Sequence, residues 1–284
     1  GIDAVHGHCL NRKATVFPTQ LGMACSLDPA LVKRVAQATA REIAADGLHW
    51  TFSPVLCLGR DMRWGRVDET FGEDPFLVGE LGAATVEGYQ GDDNAAPASV
   101  VACAKHFIGY GEATGGRDSY DSSVTYRKIK ELFLPPFEKA VKSGCATVMT
   151  AYGSIDGTPC TADKKLLEDI LKEQLNFDGF IVTDWQNISH LIHDQHVVED
   201  DKMASRLALE SGNDMMMNAP EFFEAVTELV RSGEVSEKAI DEAVERILNV
   251  KMRFGLFADP FKHANASYLG CEDHLRLNKE IARE

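Results

Sequence analysis

The stretch Gly179-Phe180-Ile181-Val182-Thr183-Asp184-Trp185 decides the fold and points to the site. Its first five residues are apolar, aromatic or β-branched, with no polar alternation, which predicts a strand buried on both faces. Such strands belong to parallel sheets covered by helices. The strand then ends on a carboxylate and an indole, at the sheet edge that carries the chemistry in α/β barrels. Asp184 is therefore the first candidate for a catalytic residue.

Similar apolar runs recur along the chain and alternate with helical patterns. The further strand candidates are 48–56, 99–104, 145–151 and the last third of 207–217. Helices are predicted over 29–46, 75–89 and 237–253. Asp28-Pro29 and Asp74-Pro75 each supply an N-cap and a proline at the first helical position, and Ser236 caps the third helix.

This alternation predicts an α/β fold with parallel strands. We count about five or six strand–helix units, so we expect a (β/α)8 TIM-like barrel that is incomplete at its N-terminus. An open doubly wound sheet is the alternative, but GEATGG (111–116) lacks the spacing of a phosphate-binding loop. We expect residues 1–262 to form the barrel catalytic domain and 263–284 to begin the connection to a second domain.

The composition excludes several classes of function. The net charge of -15, from 29 Lys and Arg against 44 Asp and Glu, disfavours nucleic-acid binding. The apolar runs reach about six residues, far short of the roughly 20 that span a bilayer, so no membrane partner is expected. The seven Cys form no CxxC pair. Cys57, Cys103 and Cys145 lie in strand-like runs and are predicted to be small core residues.

Polar residues collect where the predicted strands end. Asp3 and His6 lie at the start of the chain, and the other strand ends carry Arg60, Asp61, Arg63, Trp64, Arg66, Lys105, His106, Tyr152, Asp184 and Trp185. A charge directly after a buried strand is unfavourable unless it is paired or solvated. Their recurrence at equivalent ends therefore indicates one shared polar site. Carboxylates, cationic groups and aromatic faces together suit a sugar, whose hydroxyls and C–H surfaces need such partners.

Other chemistries fit the sequence less well. His190, His193 and His196 recur at i, i+3 and i+6, which is a possible metal-binding face, although a polar surface is the simpler interpretation. No GxSxG elbow is present. A Schiff-base enzyme using Lys105 is a further alternative. We predict neither a metal nor a cofactor.

The motifs together resemble the barrel domain of glycoside hydrolase family 3, in its β-glucosidase and exo-β-glucanase branch. The resemblance rests on an ordered set of segments: GIDAVHG (1–7), ATVFPTQLGMACSLDP (14–29), FSPVLCLGRDMRWGRVDETFGEDP (52–75), KHFIGYGEATGGRD (105–118), VMTAYGSIDGTP (148–159), GFIVTDW (179–185) and SGNDMMM (211–217). It implies a retaining, exo-acting β-glycosidase that releases glucose from the non-reducing end of β-glucosides and β-glucans.

The resemblance also implies roles for individual residues. Asp184 looks like the catalytic nucleophile. The residues that would bind the substrate are Asp3, Arg66, Lys105, His106, Arg117, Tyr152 and Trp185. Among them, Asp3, Lys105 and His106 would hold sugar hydroxyls, Tyr152 would orient the nucleophile, and Trp185 would stack on sugar.

A retaining mechanism needs a second carboxyl as general acid/base. The resemblance implies that a following α/β domain supplies it as a Glu. Within the chain, Glu69, Glu73 and Glu112 are weaker candidates. The loop GYGEATGGRDSYDS lacks the Asp–His pair of the β-N-acetylglucosaminidase branch.

Three alternatives remain open: a carbohydrate-binding remnant without catalysis, a β-xylosidase, and a β-N-acetylglucosaminidase of the same family. The resemblance slightly favours a periplasmic or secreted location.

Overall fold

The computed structural model describes residues 1–284. Its strands are β1 (Cys103–Phe107), β2 (Thr147–Thr150), β3 (Ser154–Ile155), β4 (Thr158–Pro159) and β5 (Phe180–Val182). Its α-helices are α1 (Gln20–Ala24), α2 (Pro29–Ala45), α3 (Pro75–Gln90), α4 (Tyr126–Lys128), α5 (Leu134–Lys142), α6 (Asn187–His193), α7 (Asp201–Glu210), α8 (Glu221–Ser232), α9 (Glu237–Arg253) and α10 (Glu272–Ile281). π-helical segments cover Ile129–Phe133 and Lys165–Gln174.

The central sheet is parallel, in the order β1-β2-β5. Isolated parallel bridges extend it on both sides, joining Ile2 to Thr51 and Trp50 to Val101 at one edge and Val182 to Met215 at the other. Six extended segments therefore lie side by side in chain order. This confirms the predicted α/β fold with parallel strands, whose side chains in the three-stranded part are all buried.

The predicted strand 48–56 forms only isolated bridges, not a continuous ladder. Two features of its sequence surroundings explain this. Pro54 has no N–H to donate. The side-chain amide of Gln20 donates to the carbonyl of Val55 at 2.9 Å and accepts the N–H of Val55 at 3.1 Å. Val55 still forms an isolated bridge with Lys105, but its own N–H and carbonyl are bonded to a buried glutamine instead of a strand.

The predicted helix starts are confirmed. The Asp28 carboxylate accepts from Ala30 and Leu31, and Asp74 accepts from Leu77, at the starts of α2 and α3. Ser236 accepts from Lys238 at the start of α9. Helices α2, α3 and α5 pack in succession against the strands in a core of 50 buried residues, which includes Cys57 and Cys145. Cys103 is buried in a second cluster.

The C-terminal residues fold back onto α2 through a group that we call the C-terminal clasp: Thr15, Glu42, Gly270 and His274. Glu42 is completely buried and accepts hydrogen bonds from the backbone and side chain of Thr15, from Gly270 N–H and from His274 Nδ1, at 2.7–3.0 Å. The clasp fixes α10 to the body of the domain. None of the helices combines the length and apolar character that crossing a bilayer requires.

Candidate active site

A cavity of about 920 Å³ opens beside the ends of the extended segments. Seven of the eight residues predicted for the site line it: Asp3, Arg66, Lys105, His106, Tyr152, Asp184 and Trp185. Apolar side chains from the same segments, among them Trp50, Phe52 and Met149, line it as well. Residues that are up to about 180 positions apart in the chain therefore meet at one site. Asp184 and Trp185 come after β5 as predicted, whereas Lys105 and His106, predicted to follow the strand 99–104, lie inside β1.

Asp184 follows β5 and begins the turn into α6. Thr183, just before it, donates its N–H to Met215 O at 2.9 Å and accepts Met217 N–H on its hydroxyl at 2.9 Å. The Asp184 Oδ1 atom accepts the N–H of Trp185 at 2.7 Å. These bonds hold the carboxylate at a fixed place on the cavity wall, and 12% of its side chain remains accessible.

Burial raises the pKa of Asp184 above its ordinary value. The N–H of Trp185, the charge of Lys105, the hydroxyl of Tyr152 and the charge of Arg66 act in the opposite direction and favour the carboxylate. The cavity therefore holds a partly desolvated carboxylate that is surrounded by donors and cations. A carboxylate in this state is poorly solvated by water and is able to attack an electrophile.

Lys105 and His106 are consecutive residues of β1, yet both line the cavity. Side chains alternate along a regular strand, but the pairing of β1 with β2 is irregular between Ala104 and Phe107. Lys105 Nζ lies 2.5 Å from Asp3 Oδ1, and this ion pair joins β1 to the first extended segment. The lysine is buried, whereas 65% of the Asp3 side chain is exposed and can reach a ligand.

His106 is enclosed between two charged groups. Its Nε2 atom lies 3.5 Å from Asp184 Oδ2 and 3.3 Å from Arg66 Nη2. Burial, together with the charges of Arg66 and Lys105, lowers the pKa of His106 well below its ordinary value. The imidazole is therefore neutral at physiological pH and offers one donor and one acceptor.

Arg66 is held in place by Glu69 and Tyr110. It donates to both oxygens of Glu69, at 2.7 and 2.8 Å, and its guanidinium lies over the ring of Tyr110. Burial opposes the charge, but the bonds to Glu69 raise the pKa of Arg66 overall. Tyr110 in turn donates to Asp118 at 2.6 Å, and Trp64 Nε1 donates to the same carboxylate at 2.9 Å.

The scaffold residues Tyr110 and Asp118 were not singled out from the sequence. Both lie within the KHFIGYGEATGGRD segment, so the motif contained them but its pattern gave no signal of their partners.

Arg117 is the one predicted site residue that the structure does not bring to the cavity. It is exposed, and its guanidinium lies over the ring of Tyr120, 5.2 Å from the centroid. The preceding Gly115 and Gly116 both have positive φ, so the backbone turns sharply just before it. Its role in binding stays a prediction.

Tyr152 and Trp185 lie on the Asp184 side of the cavity. Burial and the negative charge of Asp184 raise the pKa of Tyr152, so its hydroxyl stays protonated and available as a donor. Its ring lies 5.0 Å from that of His190. The Trp185 side chain is 56% exposed, which is unusual for an indole that lines a cavity and leaves a flat apolar face open to a ligand.

Neither His190 nor its neighbours form a metal site in the structure. His190 contacts Tyr152 and pairs with Asp194 at 3.2 Å, while His196 lies beyond the end of α6. No group of three or more His, Cys, Asp and Glu side chains is arranged to hold a metal ion.

The acid/base candidates differ in position. Glu69 lines the cavity, but both of its oxygens are bonded to Arg66. Glu112 lies outside the cavity lining and pairs with Lys128 at 2.7 Å and Arg60 at 3.5 Å. Glu73 is exposed on the loop before α3. Three carboxylates line the cavity. Asp3 forms an ion pair with Lys105 and Glu69 forms one with Arg66, whereas Asp184 has no Lys or Arg partner.

Known proteins resemble this chain in sequence and in structure. The family model for the glycosyl hydrolase family 3 N terminal domain matches residues 1–250. A lysosomal beta glucosidase of Dictyostelium discoideum is 38% identical over 94% of this chain and 34% of its own length. A beta-xylosidase of Formosa agariphila is 36% identical over 99% of this chain and 41% of its own length.

A solved structure of a beta-glucosidase involved in saponin metabolism, from intestinal bacteria, superposes with a TM-score of 0.95. It is 47% identical, over 99% of this chain and 38% of that one. The chain thus spans between about a third and two fifths of these proteins. The match in sequence and in structure extends over nearly the whole chain, so the chain belongs to glycosyl hydrolase family 3, as its N-terminal domain.

Proposed function

We propose that this chain is the nucleophile-bearing domain of a retaining, exo-acting β-glycosidase that releases glucose from the non-reducing end of β-glucosides and β-glucans. Asp184 would attack the anomeric carbon through a carboxylate oxygen while the bond to the leaving oxygen breaks. Water would then hydrolyse the glycosyl ester, with net retention of configuration. The observation that carries the proposal is the single unpaired carboxylate, Asp184, in a cavity whose other charges are already neutralised.

The paired charges support a role in holding the sugar. Asp3 with Lys105, and Arg66 with Glu69, are ion pairs that keep donors and acceptors at fixed positions before a ligand arrives. Preorganised groups of this kind bind vicinal hydroxyls without rearrangement and position the anomeric carbon for attack. The exposed face of Trp185 suits the C–H surface of a sugar or an aglycone at the rim.

We further propose that the general acid/base lies outside residues 1–284, on a domain that follows this one. A general acid must carry a proton and stand about 5–5.5 Å from the nucleophile. Glu69 accepts two bonds from Arg66 and Asp3 is paired with Lys105, so neither is available to donate. The missing length of this chain relative to its relatives is consistent with such a domain.

A further proposal concerns the fold. We propose that the six extended segments are part of a (β/α)8 barrel, with residues 1–262 as the barrel and 263–284 as the connection. Two contacts support a curled sheet: Trp50 Nε1 donates to Thr147 Oγ1 at 3.0 Å, and the Trp50 ring lies 5.4 Å from that of Phe180. Both partners belong to strands that are not neighbours of the Trp50 segment.

Two relatives named above are beta-glucosidases and one is a beta-xylosidase, so the sugar must be tested directly. The full-length protein would be given an aryl β-glucoside and the matched aryl β-xyloside, and the first sugar released would be followed by NMR. We expect β-glucose to appear before α-glucose, and the glucoside to be preferred. Release of the α-anomer first would exclude a retaining mechanism. Binding of glucose without any hydrolysis would instead support a carbohydrate-binding role.

A further inference from the structure

The side of His106 that faces away from the cavity contacts a cysteine. Cys57 Sγ lies 3.4 Å from His106 Nδ1 and also accepts the backbone N–H of His106 at 3.3 Å. Both residues are almost completely buried: 3% of the surface of Cys57 and 1% of that of His106 is exposed. One sulfur atom therefore contacts the histidine through its ring and through its main chain.

The opposite ring nitrogen faces Arg66. His106 Nε2 lies 3.3 Å from Arg66 Nη2 and 3.5 Å from Asp184 Oδ2, and of the two contacts the one with Arg66 has hydrogen-bond geometry. A guanidinium group has donors only, so this hydrogen bond requires a lone pair on Nε2. The ring is neutral and carries a single proton, which must then be on Nδ1. Burial raises the pKa of Cys57 to about 12, so its sulfur is a neutral thiol that can accept from Nδ1–H.

We propose that Cys57 is a positioning residue that fixes His106 in its Nδ1–H tautomer and so presents Nε2 to the cavity as a hydrogen-bond acceptor. In the absence of ligand, Nε2 accepts from Arg66. With a sugar bound, it accepts from a sugar hydroxyl. This inference deepens the proposed function and, for its kinetic part, rests on it.

Removing the sulfur predicts a change in the ring. In Cys57→Ala the Nδ1–H would be a buried donor without an acceptor, which is unfavourable. The proton therefore moves to Nε2, which lies 3.5 Å from Asp184 Oδ2, and Nε2 can then no longer accept a hydrogen bond from a hydroxyl. We expect kcat/KM to fall about tenfold, chiefly through a higher KM, as for the loss of one hydrogen bond. Cys57→Ser keeps an acceptor and is expected to stay within about threefold of the parent protein.

The matched control is Cys145→Ala. Cys145 is another buried thiol, and its sulfur contacts the carbonyl oxygens of Ala102 and Thr147. Cys145→Ala removes the same atoms from the core but leaves the contact between Cys57 and His106 intact, so its kcat/KM and KM are expected to be unchanged. Thermal unfolding of all three variants separates a loss of stability from a change at the histidine.

The deciding experiment is the ¹⁵N NMR spectrum of the full-length protein labelled at the histidine rings, with the His106 signals identified by their absence in His106→Gln. The proposal expects a protonated Nδ1 in the parent protein and in Cys57→Ser, and a protonated Nε2 in Cys57→Ala. A parent protein protonated at Nε2 would overturn it, as would Cys57→Ala with an unchanged tautomer and unchanged KM. The spectrum does not depend on turnover, so a protein that cleaves no glucoside would refute the proposed function and still decide the tautomer.

Discussion

Two regions of this domain are each built around a buried carboxylate, and they treat it in opposite ways. In the C-terminal clasp, Glu42 accepts four hydrogen bonds. Burial alone would raise the pKa of Glu42, but His274, Thr15 and Gly270 together lower it. In the cavity, Asp184 accepts one backbone N–H, and burial raises its pKa despite the nearby cations.

Under the proposed function, this difference separates a structural carboxylate, Glu42, from a reactive one, Asp184. Donors that saturate both oxygens stabilise the charge and leave no lone pair for chemistry. A carboxylate with an open oxygen, few donors and nearby cations keeps its charge but remains reactive. The clasp therefore contributes stability, whereas the cavity gives up stability to hold Asp184, the nucleophile of the proposed function.

The largest expected effect comes from neutralising the reactive carboxylate. Asp184→Asn keeps the shape of the side chain but removes the nucleophile, so kcat should fall by about 10⁴-fold or more. Because the fold disfavours the charge of Asp184, its loss should not lower the melting temperature. Steady-state kinetics on an aryl β-glucoside and thermal unfolding check both parts. Retained turnover would show that Asp184 is not the nucleophile, and a protein that fails to fold would show that Asp184, like Glu42, is needed for stability.

The structural carboxylate should give the opposite pattern. Glu42→Gln replaces an acceptor with a donor inside the clasp, and we expect a loss of about 3 kcal/mol in the free energy of unfolding. The kcat of the folded protein should be unchanged. Denaturant unfolding of this domain measures the first quantity. Glu280→Gln is the control, because its pair with Arg34 is exposed and should change the free energy of unfolding much less.

A smaller effect is expected at the rim of the cavity. Trp185→Ala removes an open aromatic face and should raise KM about tenfold, on the scale of one aromatic contact, with little change in stability. Phe223→Ala is the matched control, since Phe223 is 78% exposed on α8 and does not line the cavity. Equal KM values for the two variants would show that Trp185 does not contact substrate.

The smallest expected effect is a shift in the pH at which activity and stability are lost. Asp184 must be ionised to attack, and its pKa is raised from the ordinary 3.8. Activity should therefore decrease, as the pH falls, at a higher pH than an exposed aspartate would give. The clasp behaves oppositely: because the pKa of Glu42 is lowered from 4.5, its stabilisation is present above that value and is lost on further acidification. The pH dependence of kcat/KM measures the effect of Asp184, and the pH dependence of the free energy of unfolding measures that of Glu42.

Much of the fold follows from local patterns in the sequence. The Asp-Pro pairs fixed the starts of α2 and α3, because an N-cap acceptor and a proline act within one turn. The segment 48–56 was predicted as a continuous strand, and its interruption depends on Gln20, about 35 residues away. Such a long-range side-chain contact leaves no periodic signal in the sequence.

The site follows the same rule. Asp184, which directly follows β5, was predicted because parallel strands bring their ends together. Lys105 and His106 were predicted to follow the strand 99–104, but they lie inside β1 and reach the cavity where its pairing with β2 is irregular. Arg117 lies on a loop whose direction is set by two glycines with positive φ, so its motif alone did not determine where its side chain points. The contacts of the buried residues Cys57 and Tyr110 with His106 and Arg66 could not be predicted, because they join segments that are distant in the sequence.

The most direct test of the central claim is to trap the glycosyl–enzyme intermediate. A 2-fluoro β-glucoside with a good leaving group would be incubated with the full-length protein, which would then be digested and mapped by mass spectrometry. We expect a single adduct, one fluoroglucosyl group in mass, on the peptide that contains Asp184 and at that residue. An adduct on a different carboxylate, such as Glu69, would contradict it.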